Sequence, residues 1–321
     1  NIIPYLGLGD LIELLLDNGD LIKVSELLPT GYVSPTITDS SVGLKDGTTI
    51  GNTDNDYAGG FAGFMEGVMV GNATVTAATL TVQAQNYAGG FAGLARNGDV
   101  QGTLGIDRLV DADLDALSAY THTLIHDSTV QIAGNLTVDA TMANAGGFAG
   151  ATASSYLIDD TIDVSEARMS VSAPTGAAGG FTGNASVGWG LDLGDGSGTS
   201  ESLVGVVDDA LDAILPGGNK DIDPAPLLSL AGVSESVLLG SRILGGTVTV
   251  SGGSRVGGLV GTGRGVVIAS TDATDTREEN AGTYWETRIP GKLRERAYPD
   301  GTPEARDIKL EGLSRVSASG D

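Results

Sequence analysis

The chain has 321 residues, a formal net charge of −24 and no cysteine. Such acidity argues against nucleic acid or an anionic membrane as a partner, and it favours solubility, cation binding or a basic partner. The lack of cysteine excludes a disulfide framework, and no apolar run reaches the roughly 18 residues that span a bilayer. Hydrophobic residues form 40% of the chain, which is enough for a packed core and argues against disorder.

Residues 1–30 are predicted to form a helical N-terminal cap. Asp10 is a favourable N-cap for the apolar run Leu11–Leu16. A second short helix is predicted over Asp20–Leu28, because Pro29 would end it. An apolar segment of this kind could cover the open end of a stacked core.

Residues 31–275 are dominated by a repeated hexapeptide, which reads Ala-Gly-Gly-Phe-Ala-Gly in its commonest form. Five copies occur, with glycine pairs that begin at positions 59, 89, 146, 179 and 257. Two of the intervals are 30 and 33 residues long, and the two longer ones contain extra segments. Because so short a unit cannot bury its apolar face alone, neighbouring units are expected to stack. We therefore predict a mainly β fold, a parallel β-solenoid (β-helix) of five units with amphipathic helical insertions.

Each unit also contains a short β-type run before its glycine pair. In the run from Leu80 to Val82, the strand period of two sends both of these residues to the core and Thr81 outward. The large residue of each hexapeptide is expected to stack inside, and the glycine pair to supply positive φ at a tight corner. The predicted repeat core is Phe61, Phe91, Phe148, Phe181 and Leu259. The next residue of each copy is predicted to face outward as a bare strip of Ala62, Ala92, Ala149 and Thr182.

The two predicted insertions are residues 104–127 and residues 192–240. In the first, an apolar stripe from Val110 to Leu124 predicts an amphipathic helix. In the second, a loop rich in Gly, Asp and Ser precedes a predicted helix over Glu201–Leu215. Both helices are expected to lie on the flank of the solenoid with their aspartates in water.

Residues 276–321 are predicted to form a C-terminal arm or a small appended domain, since they hold 8 of the 17 basic residues and no hexapeptide. Pairs such as Ile289-Pro290 are expected to keep this segment extended rather than helical. The run Asp307–Glu311 alternates like a strand that could pair with an exposed sheet edge. We predict that the segment contacts a neighbouring subunit and helps to build a filament. The predicted assembly residues are Trp285, Ile308 and Leu310.

The hexapeptides resemble a known repeat. Gly-Gly-Phe-Ala-Gly, and above all the copy Val256–Gly261, is similar to the short Gly-Leu-any-Gly repeat, the GLUG motif, of bacterial cell-surface proteins. Four copies carry phenylalanine where that motif has leucine, and the likeness covers neither the insertions nor the tail. The resemblance implies extracellular display and β-helical stacking, and it implies no catalytic residues.

Two clusters of oxygen-bearing side chains are candidate calcium ligands. One cluster consists of Asn52, Asp54 and Asp56, and the other of Asp192 and Asp195. Neither fits the twelve-residue helix–loop–helix pattern, and ordinary turn chemistry also accounts for Asp, Asn and Gly clusters. No other cofactor is predicted.

The two histidines, His122 and His126, are spaced i and i+4. On a helix this spacing would place both imidazoles on one face, as in a zinc site, or simply near a favourable helix C-terminus. With no cysteine and both histidines on one predicted helix, the sequence offers no catalytic triad. Adjacent carboxylates such as Asp159 and Asp160 would point to opposite sides of a strand, so they could not flank one glycosidic bond.

These patterns favour a non-catalytic extracellular structural or adhesive repeat protein at a microbial surface, able to self-assemble into filaments. Its expected partners are neighbouring subunits and a host or cell-surface ligand, with no nucleic acid and no membrane insertion. The alternatives are a β-helical polysaccharide-active enzyme, a calcium-stabilised ligand-binding module and an ice-binding solenoid. The last is suggested by Thr81, Thr137 and Thr249, although Asp139 and Arg168 interrupt a regular threonine array.

Overall fold

The computed structural model of the protein describes residues 35–97, 122–187, 235–253, 255–276 and 282–318. Of these residues 60% lie in strands and 5% in helices, and all pairs of named strands are parallel. The predicted mainly β class is therefore confirmed. The strands form four stacked sheets, an arrangement consistent with a β-helix or solenoid.

The chain visits the four sheets, here named A, B, C and D, in the same order five times, and each passage is called a circuit. The first circuit consists of β1 (Thr36–Thr38), β2 (Ser41–Gly43), β3 (Thr48–Gly51), β4 (Tyr57–Gly59) and β5 (Ala62–Glu66). The second consists of β6 (Met69–Gly71), β7 (Thr74–Ala84), β8 (Tyr87–Gly89) and β9 (Ala92–Arg96). The third consists of β10 (Leu124–His126), β11 (Thr129–Ala140), β12 (Asn144–Gly146) and β13 (Ala149–Ala153).

The fourth circuit consists of β14 (Tyr156–Ile158), β15 (Thr161–Ala173), β16 (Ala177–Gly179) and β17 (Thr182–Ser186). The fifth consists of β18 (Ser236–Leu239), β19 (Arg242–Gly252), β20 (Arg255–Gly257) and β21 (Val260–Arg264), and β22 (Val266–Ala269) then extends sheet A. Sheet B contains the long second strand of each circuit, which in the first circuit is divided into β2 and β3. The third and fifth circuits thus begin at β10 and β18, inside the two segments predicted as insertions. Residues 104–121 and 192–234 of the two insertions, and the predicted cap at residues 1–30, lie outside the described residues.

The core follows the period-two pattern of the long strands. Leu80 and Val82 of β7 are completely buried, as are their register partners in β11 and β19, while Thr81 and its partners point outward. The phenylalanines at the corner between sheets C and D form a ladder. Phe61, Phe91, Phe148 and Phe181 stack with ring centroids 4.8 to 4.9 Å apart and interplanar angles of 2° to 4°. Leu259 packs against the same core at the end of the ladder.

The hexapeptide glycines are required by close approach between backbones. None of them has positive φ, so the predicted role of the pair is wrong. A Cβ added at Gly150 would lie 2.5 Å from the Gly93 oxygen and 2.7 Å from the Ala88 nitrogen. Sheets C and D therefore pack too closely for side chains at this position. The predicted bare outer strip is also wrong, because its members in the second, third and fourth circuits belong to the buried interior: Ala92, Ala149 and Thr182.

Two short helices follow the fifth circuit, α1 (Tyr284–Arg288) and α2 (Gly291–Ala297). Thr283 and Glu286 form a capping box at the start of α1, and Pro290 is the N-cap of α2. Pro290 therefore separates the two helices and begins the second, so the prediction that the prolines keep this segment extended is wrong between residues 284 and 297. After the helices, β23 (Lys309–Leu310) and β24 (Leu313–Ala318) pair in parallel with β19. The predicted strand thus adds to a sheet edge, and that edge belongs to its own chain.

The helices lie along the outside of sheet A, and we call residues 282–298 the strap. Trp285 is buried in a second hydrophobic cluster with sheet A side chains from four circuits, among them Met69 and Val237. At one end of the strap, Arg288 pairs with Glu235, just before β18, at 3.2 Å. At the other end, an Arg296 guanidinium N–H donates to the Thr36 hydroxyl of β1 at 2.9 Å. The strap consequently covers the apolar outer face of sheet A from the fifth circuit to the second, and the Arg296–Thr36 hydrogen bond connects it to the first.

In the described part of the chain, no helix is long and apolar enough to cross a membrane.

Candidate functional site: a polar groove across sheet B

In the described part of the chain, the outer face of sheet B carries exposed and half-buried side chains, and a line of β-bulges crosses it. In the register of neighbouring strands, one extra residue occurs in the second circuit, two in the third, three in the fourth and one in the fifth. These extra residues are Ala78, then Ala133 and Gly134, then Ser165, Glu166 and Ala167, then Gly246. Bulges interrupt the strand ladder locally and often re-aim side chains beside binding sites.

Two glycines allow this bulge line to form. A Cβ added at Gly134 would lie 2.8 Å from the Ala78 carbonyl oxygen of the preceding circuit. A Cβ added at Gly246 would lie 2.6 Å from the Ala167 carbonyl oxygen. Because both glycines sit where an extra residue leaves the ladder, they let the bulged backbones of adjacent circuits lie against each other.

Two open depressions lie along the bulge line, and we call them together the bulge groove and each of them a lobe. The larger lobe has a volume of about 640 Å³ and the smaller about 420 Å³. Ser165 and Glu166 belong to both lobes and so form the centre of the groove. The larger lobe reaches Leu44 in the first circuit and the smaller reaches Thr247 in the fifth, so the groove crosses all five circuits.

Half of the described residues that line the groove are polar or charged, and the others are Gly, Ala, Leu or Ile. Gln131, Asn135, Glu166 and Arg168 are exposed, and none of the described residues that line either lobe is aromatic. Asp163 fixes the start of the largest bulge, since its Oδ1 accepts a hydrogen bond from the Ser165 N–H at 3.1 Å. Side-chain amides, carboxylates and a guanidinium together present many donors and acceptors to a ligand.

A column of hydroxyl groups runs beside the groove on the same face. In register from the first circuit to the fifth, this column contains Thr49, Thr81, Thr137, Ser170 and Thr249. The neighbouring column reads Thr79, Asn135, Arg168 and Thr247, so the hydroxyl pattern is broken at its centre. The polar array therefore continues from the groove over the outer face of sheet B.

A second polar cluster lies at the corner between sheets A and B, under the strap. The Tyr298 hydroxyl donates to Asp127 Oδ2 at 2.7 Å, and His126 Nδ1 lies 3.0 Å from the same oxygen. Burial opposes ionisation of Asp127, but these hydrogen bonds with His126 and Tyr298 hold its pKa below the ordinary value. The contact therefore joins a charged carboxylate of the third circuit to the strap.

Asp159 occupies the same corner one circuit further along. Its side chain is 1% exposed, and neither carboxylate oxygen has a hydrogen-bond partner among the described residues. Burial raises its pKa to about 7 against the attraction of Arg306, and the charge of Asp127 raises it further. Burial also raises the pKa of the adjacent Asp160, whose Oδ1 accepts the Ser128 N–H at 2.8 Å. This cluster is a structural junction whose charge depends on pH.

The predicted histidine pair does not lie on a helix. His126 is in strand β10, and His122 precedes that strand, is buried and stacks on Tyr156 with ring centroids 5.0 Å apart. The helix prediction is wrong at residues 122–126. Leu124 fits the spacing of an apolar helix stripe, but it belongs to a strand of sheet A. Among the described residues, no group of three or more His, Asp or Glu side chains could hold a metal ion.

The calcium candidates in the first circuit lie in the exposed loop between β3 and β4. Asn52 Oδ1 accepts the Asp54 N–H at 2.8 Å, and Asp56 Oδ1 accepts a side-chain N–H of Asn86 at 2.7 Å. Two of the predicted ligand oxygens thus make turn and inter-circuit hydrogen bonds. The other two candidates, Asp192 and Asp195, lie outside the described residues, and calcium binding there stays a prediction.

The predicted assembly residues are buried or half-buried within their own chain. Trp285 of the strap is 3% exposed because it packs on sheet A, and its ring meets that of Tyr298 edge-on at 5.3 Å. Leu310 packs on the main core at the end of sheet B, and Ile308, just before β23, is half-buried. Their contact with a neighbouring subunit stays a prediction.

Comparisons with protein-family models, with curated proteins and with solved structures find no match for this chain.

The groove was not predicted from the sequence, because its bulges differ in length from one circuit to the next. The available signal was the pair of glycines, Gly134 and Gly246, inside runs that otherwise alternate like strands.

Proposed function

We propose that the four sheets wrap into a closed β-solenoid of five units, and that the protein is a non-catalytic structural or adhesive repeat protein on the outside of a microbial cell. The observation that carries this proposal is the polar face of sheet B, with its groove across five circuits. A stacked scaffold holds such a surface rigidly, and extended surfaces of this kind are what repeat proteins use for binding.

The four sheets have different neighbours, which supports a binding role for sheet B. The strap covers sheet A, and the backbones of sheets C and D lie against each other. Sheet B instead presents exposed polar side chains along its whole length. The resemblance of the hexapeptides to the GLUG repeat supports extracellular display.

Surface labelling tests this proposal. Intact cells that produce the protein are treated with an antibody to the folded chain and with a protease that does not enter cells. We expect antibody binding before treatment and its loss afterwards. Detection of the chain only after the cells are lysed would contradict extracellular display.

Self-assembly is a second candidate function, favoured by the outer edge of sheet B. Strand β24 pairs with β19 on one side, and no described strand pairs with its other side. Its side chains Leu313 and Val316 are 41% and 43% exposed. An open strand edge with apolar side chains is a template for a strand of another molecule.

Light scattering and electron microscopy test the assembly. We expect the full chain to form filaments, and Val316→Lys to shorten them because a charge on an edge strand opposes pairing. Truncation after Gly312 removes β24 but keeps the strap, and it is expected to abolish them. A full chain that stays monomeric at high concentration would exclude filament formation.

The alternative of a polysaccharide-active enzyme is favoured by one observation, the presence of Asp163 and Glu166 in the same groove. Glycosidases use a pair of carboxylates. Release of reducing ends from a polysaccharide panel, and its loss in Glu166→Gln, would favour this alternative over the non-catalytic proposal.

A further inference from the structure

We propose that the bulge groove binds a neutral, extended polysaccharide chain that runs across the strands, with about one sugar residue for each circuit. This inference rests on the proposed adhesive function and names its ligand class. It is carried by the direction, the spacing and the side-chain chemistry of the groove.

The direction of the groove requires a long ligand. The groove runs from Leu44 in the first circuit to Thr247 in the fifth. Neighbouring strands lie about 4.8 Å apart, so five circuits span roughly 19 Å. A small molecule would occupy one lobe only, whereas a linear polymer would contact both lobes and the Ser165–Glu166 centre that they share.

The spacing distinguishes between polymers. An extended peptide advances about 3.3 Å per residue, so it would fall out of register with circuits that repeat at about 4.8 Å. Peptides also bind to the edges of sheets through their backbones, and the groove lies on a face. In a β-1,4-linked glycan, each sugar advances by nearly the distance between strands. Successive sugars can therefore meet equivalent positions in successive circuits.

The side chains suit vicinal hydroxyl groups, which both donate and accept hydrogen bonds. Gln131 and Asn135 have amides that do the same, Glu166 accepts, and Arg168 donates. Several bulge residues in the lining, such as Ala133 and Gly134, have small side chains or none, so they do not fill the groove.

The charge of the groove selects against acidic polymers. Two carboxylates, Asp163 and Glu166, stand against one guanidinium, Arg168, and the whole chain carries a net charge of −24. Nucleic acids and polymers of uronic acids would be repelled by this field. The ligand class is therefore a neutral glycan.

Soluble hexasaccharides provide the test on the full chain. Isothermal titration calorimetry is carried out with β-1,4-linked cellohexaose, xylohexaose and N-acetylated chitohexaose, and with α-1,4-linked maltohexaose as the matched control. We expect at least one β-linked hexasaccharide to bind, and to bind at least about tenfold tighter than its own trisaccharide and than maltohexaose. Failure of all three to bind, or equal binding of maltohexaose, would overturn the inference.

Variants locate the site. Glu166→Ala and Asn135→Ala remove exposed groove side chains, so they are expected to fold as the wild type does and to weaken binding at least about tenfold. Ser172→Ala, on the same sheet face but away from the groove, is the control and is expected to leave affinity unchanged. Unchanged affinity in both groove variants would overturn the inference, with thermal unfolding as the check on folding. Surface labelling is independent of this result, so a surface-displayed chain that binds no glycan would refute the ligand class alone.

Discussion

The outer faces of sheets A and B differ although the same circuits build both. Sheet A presents apolar side chains outward, such as Leu124 and Val237, and the strap buries them. Sheet B presents threonines, amides and charges outward and stays open. An apolar outer face has to be covered by protein, whereas a polar face can stay in water and remain available to a ligand. The strap thus marks the side of the stack that the protein uses for its own stability.

The free energy of unfolding is expected to change most when the contact between the strap and sheet A is removed. Trp285→Ala should lower the free energy of unfolding by about 3–5 kcal/mol, because it removes a buried indole and leaves a cavity over sheet A. A denaturant titration measures the loss, and limited proteolysis should then cut the chain within residues 282–298. Phe148→Ala, inside the phenylalanine ladder, is expected to cost about as much without exposing the strap to protease. A Trp285→Ala protein with wild-type stability would mean that the strap does not stabilise sheet A.

A smaller effect is expected where the strap meets the corner of sheets A and B. Tyr298→Phe removes one hydrogen bond to the charged Asp127, and bonds of this kind contribute about 1.5–3 kcal/mol. Tyr57→Phe changes an exposed tyrosine in the same way and is expected to leave stability unchanged. Equal stability of the two variants would show that the strap is held by its apolar contacts alone.

The stability of the protein is expected to depend on pH through the same corner of sheets A and B. The pKa of Asp159 is about 7 in the folded protein and near the ordinary 3.8 when unfolded, so the folded state binds more protons between these values. Its contribution to stability is therefore fully present below about pH 4 and is lost as the pH rises to about 7. Thermal unfolding should show a weaker decline over this range in Asp159→Asn than in the wild type.

The control for the pH experiment is Asp54→Asn, which makes the same change of net charge at an exposed site. It should retain the wild-type decline. If Asp159→Asn and Asp54→Asn gave the same pH profile, Asp159 would not be the titrating group, and the unpartnered carboxylate under the strap would have to be ionised at all these pH values.

The smallest effect is expected on the open face of sheet B. Thr137→Ala removes a hydroxyl that faces outward, and the free energy of unfolding should change by less than about 0.5 kcal/mol. The measurement is the denaturant titration used for Trp285→Ala. A loss comparable to that of Trp285→Ala would mean that the outer face of sheet B is also packed against protein.

The sequence predicts the core because two periods coincide there. Alternation within a strand places Leu80 and Val82 inside, and a repeat of about 30 residues places Phe61 on Phe91. Prediction from the sequence fails where one segment of the chain packs on another. The outward residues of sheet A read as core or helix until the strap is seen to cover them, which is why Leu124 was assigned to a helix.

For the corner residues and the groove, prediction from the sequence fails for a different reason. At Ala92 the chain turns between two sheets that touch, so alternation no longer says which side is solvent. At Ser165 the circuits add different numbers of residues, and only the register with neighbouring strands shows where the extra ones lie. Local patterns contain neither kind of information.

Strand β24 has a consequence for the order in which the protein is made. The Ser314 hydroxyl donates to the Val248 carbonyl oxygen, which belongs to a residue 66 positions earlier in the chain. Circuits can stack as they leave the ribosome, since each requires only the one before it. Strand β19, however, waits for residues 309–318 to be synthesised before its second edge is paired. Translation itself therefore sets the interval during which nascent chains on one polysome expose a growing sheet edge to each other.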